Sequence, residues 1–182
     1  MKRFAHTTIV VALLLVVHAG CSSMVPRAVG ERVGLHPTLR GGAQSIDELV
    51  QDLVLAVHAS DEGALRSLRV SEAEYREIIL PGSVKPGETP PKYSRDFTDY
   101  LWGSLDVRNR YGEQELLRLW GGRTLTVEST SFDRGVRAYR GYTAHSLLGL
   151  TVRDDQGKEV RMEMGSIAQV GDRYKFISFM RD

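Results

Sequence analysis

The hydrophobic pattern of this chain changes its period once, at Gly121-Gly122. Before these glycines, apolar residues recur at helical spacing after serine caps. In the segment Ser45-Ile46-Asp47-Glu48, for example, the serine oxygen can accept a hydrogen bond from a free backbone amide. After them, apolar and polar residues alternate, beginning at Leu125. Because all the helices come first and all the strands second, we predict an α+β fold with helices covering one face of an antiparallel sheet.

Caps and breakers set the predicted boundaries of four helices and four strands. The helices are expected at residues 45–58, 60–68, 71–80 and 94–120. The strands are expected as a curved four-stranded antiparallel meander at residues 123–132, 136–153, 158–170 and 173–181. The segment Asp133-Arg134-Gly135 is the predicted turn between the first two strands, and the long second strand is expected to bend at a glycine or a bulge.

The last predicted helix carries one unusual residue on its apolar stripe. We expect this helix to continue without a break through Gly112, where the missing side chain would allow close packing. The same stripe includes Phe97 and Leu119, which are therefore predicted to face the core.

The N-terminus has the charge and length of an export signal. Lys2 and Arg3 precede an unbroken apolar run from Ile9 to Val17, which is shorter than the roughly 20 residues of a membrane-spanning helix. The run is followed by His18-Ala19-Gly20-Cys21, which contains the only cysteine of the chain. A secretory signal cut near Ala19-Gly20, leaving a free thiol, is one interpretation of this pattern.

The segment ending at Cys21 resembles the lipobox of bacterial lipoproteins. The resemblance implies cleavage after Gly20 and attachment of lipid to Cys21, which becomes the first mature residue. With Ser22 next to the anchor, it also implies a cell-envelope location, at the outer membrane and facing the periplasm in a cell with two membranes. The expected organisation is a signal peptide at 1–20, a lipidated cysteine and flexible tether at 21–44, and a single domain at 45–182.

Composition argues against several classes of function. The chain has 24 basic and 23 acidic residues, so no nucleic-acid-binding surface is expected. His58 and His145 are the only histidines of the predicted domain, and no cysteine remains there, so we expect no metal site and no cofactor. Arg134, Arg137 and Arg140 lie close together in the sequence, and we interpret them as a solvated strand surface rather than an anion site.

The order of the elements and the length of the strands resemble the cone of the ketosteroid isomerase and nuclear transport factor-like superfamily. The resemblance would cover residues 45–182 and implies a ligand site between the curved sheet and the helices. It also implies that an enzyme of this kind would place a buried carboxylate or histidine opposite a tyrosine donor. The candidates for these two roles are Asp99, His145 and Glu163 on one side and Tyr75, Tyr100 and Tyr142 on the other.

Each candidate also has a structural interpretation. His145 is out of phase with the apolar residues that follow it and is expected to face solvent or a sheet edge. Glu163 alternates with Met162 and Met164, which places it on the opposite face, and Asp99 is expected to be a solvated charge near the start of a helix.

We therefore expect a membrane-anchored envelope lipoprotein that binds a small apolar ligand or an envelope protein and is not an enzyme. One alternative is a cone-fold acid–base enzyme, an isomerase or dehydratase, acting on a small apolar substrate; another is a structural factor in envelope assembly. A closed apolar pocket with a polar group at its floor would favour the enzyme, and a cone filled with side chains would argue against it. A homodimer is also predicted.

Overall fold

A computed structural model of the chain describes residues 38–181. The predicted signal peptide, Cys21 and the predicted tether as far as residue 37 lie outside the described residues. Within the described part of the chain, no helix is both long and apolar enough to cross a bilayer.

The helices precede the strands, as predicted. They are α1 (Ile46–Ala59), α2 (Glu62–Ser67), α3 (Glu72–Glu74), a π-helical turn (Tyr75–Ile79), α4 (Leu80–Gly82) and α5 (Arg95–Trp120). Short polar side chains begin them: Ser45 Oγ accepts the Glu48 amide at 3.0 Å, and Ser71 and Glu74 form a complete capping box. The capping signals in the sequence therefore mark true helix starts.

Helix α5 runs without a break through Gly112, which confirms the predicted continuity. A Cβ atom on Gly112 would lie 2.9 Å from Phe179 Cβ, so this position does require a glycine for close packing. The predicted apolar stripe is wrong at its ends, because Phe97 and Leu119 are 46% and 49% exposed. The residues that α5 buries beside Gly112 are Asn109, which hydrogen-bonds to Ile177 and Phe179, and Glu113, which is ion-paired with Arg69.

Seven strands follow within residues 38–181, instead of the predicted four. They are β1 (Leu125–Phe132), β2 (Val136–Ala138), β3 (Thr143–His145), β4 (Leu148–Asp154), β5 (Glu159–Glu163), β6 (Ile167–Val170) and β7 (Arg173–Phe176). The first sheet has the order β1-β4-β5 and the second sheet has the order β2-β3-β6-β7, with all pairs antiparallel. The fold is thus α+β, with a curved antiparallel sheet divided into two.

The two sheets keep one register across their junction. Gly149 of β4 lies opposite Glu163 in the first sheet, and His145 of β3 lies opposite Ile167 in the second. The four-residue step from His145 to Gly149 therefore matches the four-residue step from Glu163 to Ile167. The predicted strand at 136–153 is therefore present over residues 143–153 as the interrupted pair β3 and β4. The predicted strand at 158–170 is present over residues 159–170 as the interrupted pair β5 and β6. The interruptions lie at Ser146-Leu147 and between β5 and β6.

The predicted turn at Asp133-Arg134-Gly135 does not reverse the chain. The Asp133 and Arg134 amides donate to the carbonyls of Leu147 and Ser146, so β1 continues past the bend along the same neighbour into β2. Gly135 has φ +74°, which gives a local bend within a continuing strand. The chain reverses instead at Tyr139–Tyr142, where the Tyr139 amide donates to the Tyr142 carbonyl at 2.8 Å.

Side chains fill the space between the helices and the sheets. Fully buried residues from α1, α2, the strands and the gap between β5 and β6 form this core: Leu49, Leu53, Leu65, Leu148, Leu150, Met164, Ile167 and Phe176. The folded unit also begins earlier than predicted, because Leu39 is 2% exposed and Ala43 pairs with Tyr174 through two backbone hydrogen bonds. The predicted tether over 21–44 is therefore too long at its C-terminal end.

Candidate functional site

Asp99 and Tyr100 lie on the exposed half of α5. One carboxylate oxygen of Asp99 is 2.7 Å from Arg76 Nη1, and the Asp99 side chain is 48% exposed. Tyr100 is 69% exposed. Asp99 thus lies at the surface in an ion pair with Arg76, where the sequence predicts a solvated charge, and neither Asp99 nor Tyr100 lines the described clefts.

His145 is buried, so the expectation that it faces solvent or an edge is wrong. Its Nε2 atom lies 3.0 Å from Gln169 Oε1, and its ring packs between those of Phe132 and Tyr174. The strand alternation fails here because Leu147, two residues on, adopts φ +57° and breaks the strand. The geometry is that of a core histidine with its hydrogen bond satisfied.

The two other candidate donors are also held by structural contacts. Burial raises the pKa of Tyr142, whose hydroxyl lies 2.9 Å from Ser83 Oγ. Burial likewise raises the pKa of Tyr75, whose ring packs on Trp102 with centroids 5.6 Å apart. A raised tyrosine pKa keeps the hydroxyl protonated, but these contacts place neither phenol opposite a predicted catalytic acid.

Glu163 lies at the rim of an open cleft, which we call the apolar cleft. The cleft has a volume of about 250 Å³ and lies between the C-terminal half of α5, strand β5 and the C-terminal segment. Its lining is mostly apolar: Gly112, Leu116, Leu119, Trp120, Met162, Met164, Phe179 and Met180, with Glu115, Arg161 and Glu163.

The charged groups at this rim already have partners. Glu163 is 2.8 Å from Arg181 Nη1, Glu115 is 2.7 Å from Arg118 Nη2, and Arg161 is 2.6 Å from Asp133. What the cleft offers a ligand is therefore an apolar wall with three methionines, whose flexible and polarisable side chains adapt to irregular shapes. This lining suits an uncharged apolar group.

Two buried ion clusters lie within the core of the described residues, and neither was predicted from the sequence. Arg69 Nε is 2.8 Å from Glu113, and Arg69 Nη2 is 2.8 Å from Asp106. Lys175 Nζ lies 3.1 Å from Glu74. The signal for the first cluster was the recurrence of Asp106, Asn109 and Glu113 on the α5 face that also carries Gly112.

The contacts of these clusters are structural. Burial raises the pKa of Glu113 despite the neighbouring Arg69 and Arg66. Burial also acts to raise the pKa of Glu74, but amide donors of Ser71 and Arg40, together with Lys175, outweigh it and leave the pKa below its ordinary value. Neither carboxylate is among the residues that line the described clefts, so these groups hold α3 and α5 against the rest of the fold.

Within residues 38–181, no three histidine, cysteine, aspartate or glutamate side chains come together as metal ligands would. Comparison with protein-family models, with curated proteins and with solved structures found no match to this chain. The lipobox and the cone superfamily therefore remain predictions from the sequence, while the α+β class follows from the structure.

Proposed function

We propose that this chain is a lipid-anchored, non-catalytic module of the cell envelope that binds a small apolar group in the apolar cleft. The observation that carries the proposal is the lining of that cleft, where Met162, Met164 and Met180 meet Leu119 and Trp120. The anchor rests on the lipobox resemblance at Cys21.

The state of the acid–base candidates supports binding over catalysis. Asp99 and Glu163 are ion-paired and partly exposed, and His145 is enclosed between two aromatic rings. A cone enzyme would hold its substrate between the sheet and the helices, and in the described residues this space is filled by the core side chains. A filled interior argues against the isomerase or dehydratase alternative.

The size of the cleft limits the ligand. Sites for drug-sized molecules occupy roughly 300–1,000 Å³, and this cleft is smaller, at about 250 Å³. It fits a short alkyl chain, a single ring or one apolar side chain of another protein. The paired charges at its rim give no reason to expect a charged headgroup on the part that enters.

Tryptophan fluorescence offers a direct test, because Trp120 lines the cleft and the chain has only two tryptophans. In a Trp102→Phe background, a brominated alkyl ligand should quench Trp120 saturably. Leu119→Glu should weaken this quenching at least about tenfold, since it places a charge against an apolar ligand.

The matched control is Leu55→Glu, which alters a leucine of similar exposure on α1, outside the cleft. This variant should bind as the parent does. Equal quenching in both glutamate variants would contradict binding in the cleft.

The anchor has its own test. Labelled fatty acid should attach to the chain in bacterial cells, and Cys21→Ala should abolish the attachment. Labelling that persists in Cys21→Ala would remove the anchor from the proposal while leaving the cleft untouched.

A second candidate role is self-association through α5. Phe97, Tyr100, Val107 and Tyr111 are 46% to 69% exposed and follow one face of this helix at alternating spacings that fit a heptad pattern. Ser104 occupies the middle of the stripe. Since a buried aromatic side chain covers about 150–250 Å², pairing two such stripes would bury on the order of 1,000 Å², near the lower limit for a specific interface.

The charges beside the stripe favour a second copy of this chain as the occupant. An antiparallel pair centred on Ser104 would place Asp96 of one protomer beside Arg110 of the partner subunit. Arg110 is 57% exposed and reaches Asp106 in its own chain at 2.8 Å, so it can exchange between the two carboxylates. The predicted homodimer thus has a self-complementary face.

Engineered cysteines can test this dimer, because the chain has a single natural cysteine. In a Cys21→Ala background, Ser104→Cys should form a disulfide-linked dimer under mild oxidation, since the two-fold axis brings the two thiols together. Ser67→Cys, on exposed α2, is the control and should crosslink far more slowly. Equal rates for the two variants would contradict the α5 dimer.

A further inference from the structure

A second cleft, which we call the basic pocket, lies where the two sheets meet. It has a volume of about 310 Å³ and is lined by Arg134, Arg137, Tyr139, Ser146, Leu147 and Ser166. It shares no lining residue with the apolar cleft. Its walls are mostly polar, so its chemistry differs from that of the site proposed above.

The pocket is built by irregular backbone on three neighbouring strands at the same level. The bend at Asp133–Gly135 faces the break at Ser146-Leu147, where the Arg134 amide donates to Ser146 O and the Ser146 amide donates to Gly135 O. The next gap, between β5 and β6, lies on the other side, where the Leu148 amide donates to Gly165 O at 3.2 Å. Three adjacent interruptions open one concave surface in an otherwise continuous ladder.

One wall residue has a strained backbone. Leu147 is 5% exposed and has φ +57°, in the left-handed region that side chains with a Cβ rarely adopt. Such conformations persist where surrounding structure holds them, and they concentrate at functional sites. The Asp133 amide, which donates to Leu147 O, and the buried Leu147 side chain hold this one in place.

The arginines of the pocket have no carboxylate partner within residues 38–181. Neither Arg134 nor Arg137 forms an ion pair there, whereas Arg153, Arg161 and Arg181 on nearby strands and at the C-terminus each do.

Asp133 is adjacent to Arg134 in sequence, but its carboxylate is occupied by Arg161 and by Ser131 Oγ. Arg161 reaches it across Gly149, where a side chain would collide with the guanidinium. The positive charge of the pocket is therefore uncompensated.

In contrast to the sequence-based interpretation of Arg134 and Arg137 as a solvated strand surface, we propose that the basic pocket binds a phosphate group. Two guanidinium groups at one concavity can donate paired hydrogen bonds to phosphate oxygens, which their planar geometry matches. Tyr139 and Ser146 also line the pocket, and their side chains carry hydroxyl groups of the kind that donate to phosphate oxygens. The same chemistry would recognise a soluble phosphate compound or the phosphate of an anionic lipid headgroup, and the two sources are separable by experiment.

The test measures how far phosphate protects individual arginines from chemical modification. The full chain in neutral detergent is treated with phenylglyoxal, which modifies accessible arginines, with and without inorganic phosphate. Phosphate should slow the modification of Arg134 and Arg137 at least about fivefold, while Arg95, which is 91% exposed, serves as the reference. A second arm reconstitutes the chain in phosphatidylcholine vesicles with or without phosphatidylglycerol.

Protection by inorganic phosphate but not by phosphatidylglycerol vesicles identifies a soluble ligand, and protection by phosphatidylglycerol vesicles identifies a lipid headgroup. Protection in neither arm, or equal protection of Arg95, overturns the proposal. Calorimetry gives an independent measure: Arg134→Gln/Arg137→Gln should lose phosphate binding at least about tenfold.

The charge-matched control is Arg118→Gln/Arg153→Gln, which removes two ion-paired surface arginines and should bind as the parent does. Equal loss in both double variants would show dependence on net charge alone and would overturn a site at the pocket.

Discussion

Arg69 and the pair Arg134 and Arg137 show how the same side chain takes opposite roles in one domain. Arg69 is 6% exposed, lies between α2 and α3, and contacts two carboxylates of α5. Arg134 and Arg137 border an open pocket at the junction of the two sheets and have no such partner in the described chain. The difference lies in burial and in fixed partners, since all three are arginines.

Burial and fixed partners distinguish the charges that stabilise the fold from those that remain available to a ligand. Removing one member of a buried pair leaves the other charge desolvated and uncompensated, so the pair contributes strongly once it has formed. A solvated arginine without a partner contributes little to folding and keeps its hydrogen-bond donors for a ligand. Substitution of Arg69 should therefore lower the free energy of unfolding far more than substitution of Arg134 or Arg137.

The largest expected effect is that of Arg69→Ala. It would leave Glu113 and Asp106 without their shared cation, and we expect a loss of about 3–5 kcal/mol in the free energy of unfolding. The measurement is urea unfolding followed by circular dichroism. Arg66→Ala is the control, because Arg66 is 54% exposed and lies farther from Glu113, at 3.8 Å. Similar losses in both variants would erase the distinction between buried and solvated arginines.

The Glu74–Lys175 pair extends the comparison to a second buried cation. Glu74→Gln should cost on the order of 3 kcal/mol at pH 7, because Lys175 would lose its only charged partner among the described residues. The pKa of Glu74 lies below its ordinary value of 4.5 in the folded state. Its stabilisation is therefore complete above about pH 4.5 and is lost as the pH falls through the folded pKa.

Unfolding experiments across the acid range check the sign of this dependence. The parent should lose stability between pH 5 and the acid limit more steeply than Glu74→Gln, which has no carboxylate to protonate at this position. Parallel acid profiles for the two proteins would contradict the pairing of Glu74 with Lys175 as a source of stability.

Arg76 provides an intermediate case, since it is paired with Asp99 and Glu72 but lies at the surface. Asp99→Asn should lower the urea midpoint far less than Arg69→Ala, because solvent screens exposed ion pairs. A loss as large as that of Arg69→Ala would mean that pairing matters more than burial.

The smallest effect is expected for Arg134→Ala and Arg137→Ala. Each should change the free energy of unfolding by no more than about 0.5 kcal/mol, as is usual for surface substitutions. A larger loss of stability would show that these residues have a structural role like that of Arg69.

The local features of the fold were predictable from the sequence. The caps at Ser45 and Ser71 and the continuity of α5 through Gly112 follow from residues within one or two helical turns. The alternation after Gly121-Gly122 likewise predicted the strands. These signals depend on near neighbours, which the sequence displays directly.

The errors arose where distant residues decide the conformation. His145 was placed on the wrong face because Leu147 breaks the strand, and that break depends on the neighbouring strands. The turn at Asp133–Gly135 proved to be a bend because β2 continues to pair with the same strand segment. Neither outcome is visible in the local pattern of alternation.

The candidate sites divide in the same way. Glu163, a candidate predicted from the sequence, lies at the rim of the apolar cleft, but Asp99, Tyr100 and His145 lie elsewhere. The alternation of the methionines with Glu163 predicts only that they lie on the opposite face of the strand. Their convergence with α5 and the C-terminal segment required the folded chain.

Local hydrogen bonding and side-chain periodicity govern the order of helices and strands and the helix starts, so these features could be predicted from the sequence. Contacts between distant parts of the chain determine which charges are buried and why position 112 requires a glycine. Arg69 contacts Asp106 on α5, and Glu74 contacts Lys175 on β7, although the members of both pairs are far apart in the sequence. Such contacts depend on how the elements pack, and that packing also opened the apolar cleft and the basic pocket.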